Sequence, residues 1–219
     1  AFFPQNSIQN NHHSNSNTLI KNNHSKIHRV YTLRNDILLS PFIDAIILSL
    51  AYEQDIDTLK FKDAQLSKIL PKCQSIIRYN RFIQTVCFVN SDFEKCELSF
   101  SQMLDKAHSF KPTKWVFDLC DLSKPSFLHF FDSLSKIGKP ITHLHFFNCT
   151  FSNDSSFPQI FQSIFFNDCF TSIESFIMDN CKSTQGEYLD AILLHISQIF
   201  CCSWAMERKC FHHISVIDS

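Results

Sequence analysis

Residues 141–151 read I-T-H-L-H-F-F-N-C-T-F. Apolar side chains hold the first, fourth, sixth and eleventh places (Ile141, Leu144, Phe146, Phe151), and Cys149 holds the ninth. Alternation around the fourth and sixth places is the period of a strand with one buried face.

The same spacing recurs. Ile27, Val30, Thr32, Asn35 and Ile37 fill it first, then Ile56, Leu59, Phe61, Ala64 and Leu66, then Ile83, Val86, Phe88, Ser91 and Phe93. Pro112, Trp115, Phe117, Cys120 and Leu122 make a fourth copy. After the copy at Ile141 come Ile173, Phe176, Met178, Cys181 and, imperfectly, Ser183. A seventh opens with Phe211, Ile214 and Val216. The starts lie 29, 27, 29, 29, 32 and 38 residues apart, a regularity that chance alternation does not produce. About five residues of strand, a return helix and two loops fill such a period, and a parallel connection requires a crossover.

The intervening stretches carry helical periodicity. Ser40-Pro41 reads as N-cap and first turn of a helix with Phe42, Ile43, Ile46, Ile47 and Leu50 on one stripe. Phe127, Phe130, Phe131, Leu134 and Ile137 form another stripe, closed by Gly138 and Pro140. Further stripes run from Phe100 to Ala107, from Phe157 to Phe165 and from Tyr188 to Phe200. Pro71 predicts a short or kinked helix within 67–80.

The pattern L-x-x-L-x-L-x-x-N/C-x-L, with Phe and Ile in place of Leu, resembles the leucine-rich repeat superfamily. Periods of 28–29 with helical returns resemble its ribonuclease-inhibitor subtype, which includes the repeat regions of actin-regulatory CARMIL and tropomodulin proteins. The resemblance implies an α/β solenoid over residues 26–219, with a curved parallel sheet of six or seven strands on the concave side and helices on the convex side. It covers the chain from Ile27 onward, and only Asn35 keeps asparagine at the ninth place.

Composition bounds the function. The 20 basic and 21 acidic residues give a net charge of −1, so nothing steers the chain to nucleic acid or an anionic membrane. Glycine occurs only at 138 and 186, which excludes the glycine-rich phosphate-binding loops. Residues 1–25 are rich in Asn, Ser and His and too poor in apolar residues to offset ordering entropy; they read as a disordered tail. The start without Met and the end inside a copy suggest a piece of a longer array. Of ten cysteines, Cys120, Cys149 and Cys181 fall at the ninth place, where they cap a turn as a ladder of buried thiols, the pattern of a reducing, cytoplasmic compartment.

Chemical constellations are weak. Cys201, Cys202, Cys210, His212 and His213 cluster, but adjacent cysteines on a helix point about 100° apart and chelate badly. His143 and His145 share a strand face, and Asp118 with Asp121 or Asp179 with Asp168 are formal acid pairs; ordinary surface positions account for all of them. No signature marks a nucleophile, so a non-enzymatic chain without cofactor or metal is expected.

The fifth and seventh places face away from the core. From the third to the sixth copy they carry Cys87, Val89, Val116, His145, Phe147 and Ile177. Exposed apolar clusters mark interaction surfaces. The expected role is a protein-binding scaffold using Val116, His145, Phe147 and Ile177, with Lys114, Asp118, His143 and Asp179 as rim. The alternatives are a purely structural segment of a longer array or a CARMIL-like actin-regulatory region.

Overall fold

A computed structural model describes residues 29–96, 110–134, 140–152 and 172–184, and the backbone of 213–217. The fold is α/β. Strands β1 (Arg29–Leu33), β2 (Ile56–Lys62), β3 (Thr85–Val89), β4 (Lys114–Asp118), β5 (His143–Phe147), β7 (Ser175–Asp179) and β9 (His213–Ile217) form one seven-stranded sheet in chain order. Every pair in it is parallel. Two-residue strands β6 (Thr150–Phe151) and β8 (Lys182–Ser183) make a second parallel pair just past the turns.

The register predicted from the sequence holds from the second copy to the seventh. Leu59, Val86, Trp115, Leu144, Phe176 and Ile214 are successive partners, as are Phe61, Phe88, Phe117, Phe146, Met178 and Val216. The wider intervals before β7 and β9 leave this pairing unchanged. In copies two to six, the first, fourth, sixth, ninth and eleventh places are all buried.

The first copy departs by one residue. The sequence reading puts Val30 and Thr32 in the core and Tyr31 and Leu33 on the opposite face. Instead Tyr31 and Leu33 align with Leu59 and Phe61, and a register shift sits between Arg29 and Val30. Leu33 is fully buried and Val30 is 56% exposed. Both alternations satisfy a period of two, and a slip of one residue exchanges the faces. The bulkier Tyr31 and Leu33 offer more apolar surface to the core than Val30 and Thr32, and the bulge delivers it.

Helices pack on the core side. α1 spans Ile43–Tyr52, α2 Leu66–Ile69, α3 Gln74–Tyr79 and α4 Pro125–Leu134, with a 3-10 helix at Asn35–Leu39. The N-cap of α1 is Phe42 and not the expected Ser40, and Pro41 lies before the first turn; Ser40 ties down the approach, its Oγ accepting the Phe42 N–H at 3.2 Å and its carbonyl the Ile43 N–H at 3.2 Å. Phe42 itself leaves the predicted stripe and is 70% exposed. Pro71 falls between α2 and α3, so the predicted break is where the ring cannot continue a helix. The stripes expected at 100–107, 157–165 and 188–200, Ile137 with Gly138, and the expected tail at 1–25 lie outside the described residues.

The core centres on one aromatic column. Phe61, Phe88, Phe117 and Phe146 stack from strand to strand with ring centroids 5.3, 5.4 and 5.1 Å apart. From α4, Phe130 meets Phe88 edge-on at 5.5 Å and Phe127 meets Phe117 edge-on at 5.4 Å. Each such pair adds about 0.5–1.5 kcal/mol beyond its buried area. The column fixes which face of the sheet the helices cover, and so which face is left for contacts.

Candidate functional site: the sheet face turned from the core

Where each strand ends, the chain must turn sharply toward its helix. The eighth place does this in a left-handed conformation at Asp63, Asn90, Leu119, Asn148 and Asn180, with φ of 51, 46, 55, 52 and 49°. Asp and Asn tolerate this region far better than other non-glycine residues. The turns are tied to one another. The N–H groups of Asp63, Asn90, Leu119 and Asn148 donate at 2.9 Å to the seventh-place carbonyls of Val89, Asp118, Phe147 and Asp179 on the next strand.

The ninth place locks the turn from inside. Cys149 Sγ donates to the carbonyls of Phe117 at 3.5 Å and Phe147 at 3.3 Å. Cys120 does the same to Phe88 and Asp118, and Cys181 to Phe146 and Asp179. Ser91 supplies a hydroxyl in the equivalent position, to Phe61 and Val89. These three cysteines are buried and free, as the ladder reading requires. Burial pushes the Cys149 thiol far above its ordinary range, and the neighbouring Cys120 and Cys181 add to the rise.

These ties hold β3, β4, β5 and β7 in register, and with them the side chains of the opposite face. The four residues selected from the sequence meet there. Val116, His145 and Ile177 are consecutive partners on β4, β5 and β7, and Phe147 stands between Asp118 and Asp179. Val116, Phe147 and Ile177 are half-buried.

His145 differs from its expected solvent-facing state. It is only 7% exposed. Its ring meets Phe147 edge-on at 6.0 Å and His143 at 5.9 Å, and its Nε2 shares a hydrogen bond with Ser175 Oγ at 3.0 Å. Flanking side chains on three strands shield it, a neighbourhood that place-by-place reading does not reveal. Val89 is buried in the same way.

The rim residues Lys114, Asp118, His143 and Asp179 are half-buried around this centre. Thr142 Oγ1 lies 2.8 Å from His143 Nδ1, and Asn148 Nδ2 donates to Asp118 Oδ1 at 3.1 Å. Lys60 and Lys62 share the face on β2, and Cys87 lies beside Lys60 on β3. Sequence reading left these two lysines out of the site, although their spacing of two placed them on it. Burial raises the Cys87 thiol to about 11, against the pull of Lys60, so it stays protonated near neutral pH.

This arrangement offers shape, apolar area and fixed charge. Among the described residues, no three His, Cys, Asp or Glu side chains converge in a metal-binding group. None of the described helices is long and apolar enough to cross a membrane. Cys201, Cys202, Cys210, His212, the His213 side chain and Asp168 lie outside the described residues. No protein-family model, curated protein or solved structure matches the chain.

Proposed function

We propose that the chain is a leucine-rich repeat solenoid acting as a non-enzymatic protein-binding scaffold, with its partner held on the sheet face turned from the helices. The repeat reading is supported by the common register of copies two to seven and by the ninth-place ladder of Ser91, Cys120, Cys149 and Cys181. A reducing, cytoplasmic setting is supported by Cys73, Cys87, Cys96, Cys120, Cys149 and Cys181 all being free thiols.

The observation that carries the binding role is the convergence of Val116, His145, Phe147 and Ile177 on three adjacent strands, on the face opposite the aromatic column. Three of the four keep part of their surface in contact with solvent. A compact apolar centre with a charged rim is the anatomy in which a few residues carry most of the binding energy.

Phe147→Asp tests the reading. A partner recovered by affinity capture and then purified binds this variant at least 100-fold more weakly, while the urea midpoint stays at the wild-type value. Unfolding of the variant would make Phe147 part of the core. Unchanged affinity in a folded variant would move the binding site off this face.

A further inference from the structure

The site described above is not only apolar; its charges are sorted. On β2, Lys60 and Lys62 point to the same face, and Lys114 joins them two strands away on β4. Cross-strand pairing puts Cys87 between Lys60 and Val116, and Val89 between Lys62 and Asp118. Lys60, Lys62 and Lys114 therefore flank a small apolar floor of Cys87, Val89 and Val116, with Asp118 at its turn end. Beyond its burial, the Cys87 thiol feels Lys60 first, then Asp118 in the opposite sense, and Lys114 more weakly.

All three lysines are half-buried, and none forms an ion pair with a carboxylate among the described residues. The ion pairs among the described residues belong to Arg29, Lys95 and Lys124. The acids of this face, Asp118 and Asp179, stand at the turn end of β4 and β7, and Asp118 already accepts from Asn148. The face therefore runs from the three lysines of β2 and β4, with Asp118 as the acid beside them, to an apolar centre on β4, β5 and β7. In a chain of net charge −1, this is a local and oriented field.

We propose that the partner held here is an acidic peptide segment with one apolar anchor, a proposal that rests on the scaffold reading. Its carboxylates lie over Lys60, Lys62 and Lys114, and its anchor side chain lies on Val116, Phe147 and Ile177. The spacing follows from the sheet. From β2 to β5 is three strand steps, about 14 Å at roughly 4.8 Å each, which an extended segment covers in about four residues. The segment crosses the strands with its acidic part toward β2.

Panning random twelve-residue peptides on the immobilised chain tests this. Enriched sequences carry at least two Asp or Glu residues three to five positions from a Phe, Leu, Ile or Trp. A fluorescein-labelled peptide of that class loses at least ten-fold in affinity between 50 and 300 mM NaCl. It loses at least as much on Lys60→Glu/Lys62→Glu, and also on the milder Lys60→Gln/Lys62→Gln should the first variant not fold. Enrichment without acidic bias, but lost in Phe147→Asp, would overturn the acidic partner and leave the scaffold reading standing. Acidic peptides indifferent to both lysine variants, or equally well displaced by poly-glutamate lacking an anchor, also overturn it. Failure to enrich any peptide dependent on Phe147 sinks both readings.

Discussion

Asn180 donates from Nδ2 to Oδ1 of Asn148 at 2.7 Å, across 32 residues of chain. Both sit in the left-handed region. Asn90 makes the same reach to Asp63 at 2.8 Å. The eighth place thus combines two jobs, a backbone turn that short polar side chains tolerate and a side-chain ladder that binds neighbouring turns. Leu119 is the exception in this row. It has φ 55° and is 55% exposed, and Asn148 reaches past its place to Asp118.

Leu119→Asn is expected to stabilise the fold by about 1 kcal/mol, because the left-handed conformation costs an ordinary L-residue about 1–2 kcal/mol. The urea midpoint rises at unchanged slope. A midpoint that stays put or falls would show that the leucine side chain contributes more than its backbone strain costs.

Leu144 is the second residue of β5 and is fully buried. Leu144→Ala is expected to cost about 2–5 kcal/mol, the usual range for a truncated core leucine. Its strand partners are Trp115 and Phe176, so amide exchange should accelerate first across 112–118 and 173–179. Exchange unchanged in those strands would contradict the register.

Stability is expected to fall in alkali. Burial raises the Cys73 thiol from an ordinary 9.0 to about 12. A pKa raised in the folded state means that the folded chain keeps a proton which the unfolded chain has released. The contribution is complete below pH 9 and disappears as pH climbs to 12, at about 1.4 kcal/mol per unit. Cys73→Ala should flatten that slope even though the cavity lowers stability at every pH. Equal slopes for the two proteins would remove Cys73 as the cause.

All ten cysteines are expected to titrate as free thiols when the chain is denatured without reductant. Loss of two or more from that count would place the chain in an oxidising compartment and replace the ladder by bridges.

How far the sequence carried the structure depends on where its signals were redundant. For β2 to β5 and β7, five places per copy, apolar except at Ser91 and Ser183, agreed with one another, and strand position and register followed. In β1 only the alternation spoke, it spoke equally for two registers, and the bulge at Arg29–Val30 decided. The four residues of the apolar centre could be assembled from spacing alone. The burial of His145 could not, because it arises from neighbours on three strands acting together. The eighth-place row stands plainly in Asp63, Asn90, Asn148 and Asn180, but apolar periodicity does not report it, because left-handed turns are signalled by Asn and Asp.

In the main sheet each strand pairs with the next one along the chain, never with one further away. During synthesis, every strand of this sheet after β1 emerges from the ribosome with a partner already made. No strand has to wait, unpaired and sticky, for a distant segment to be translated. The order in which the chain is born is therefore also an order in which it can fold, one strand and one turn of the ladder at a time.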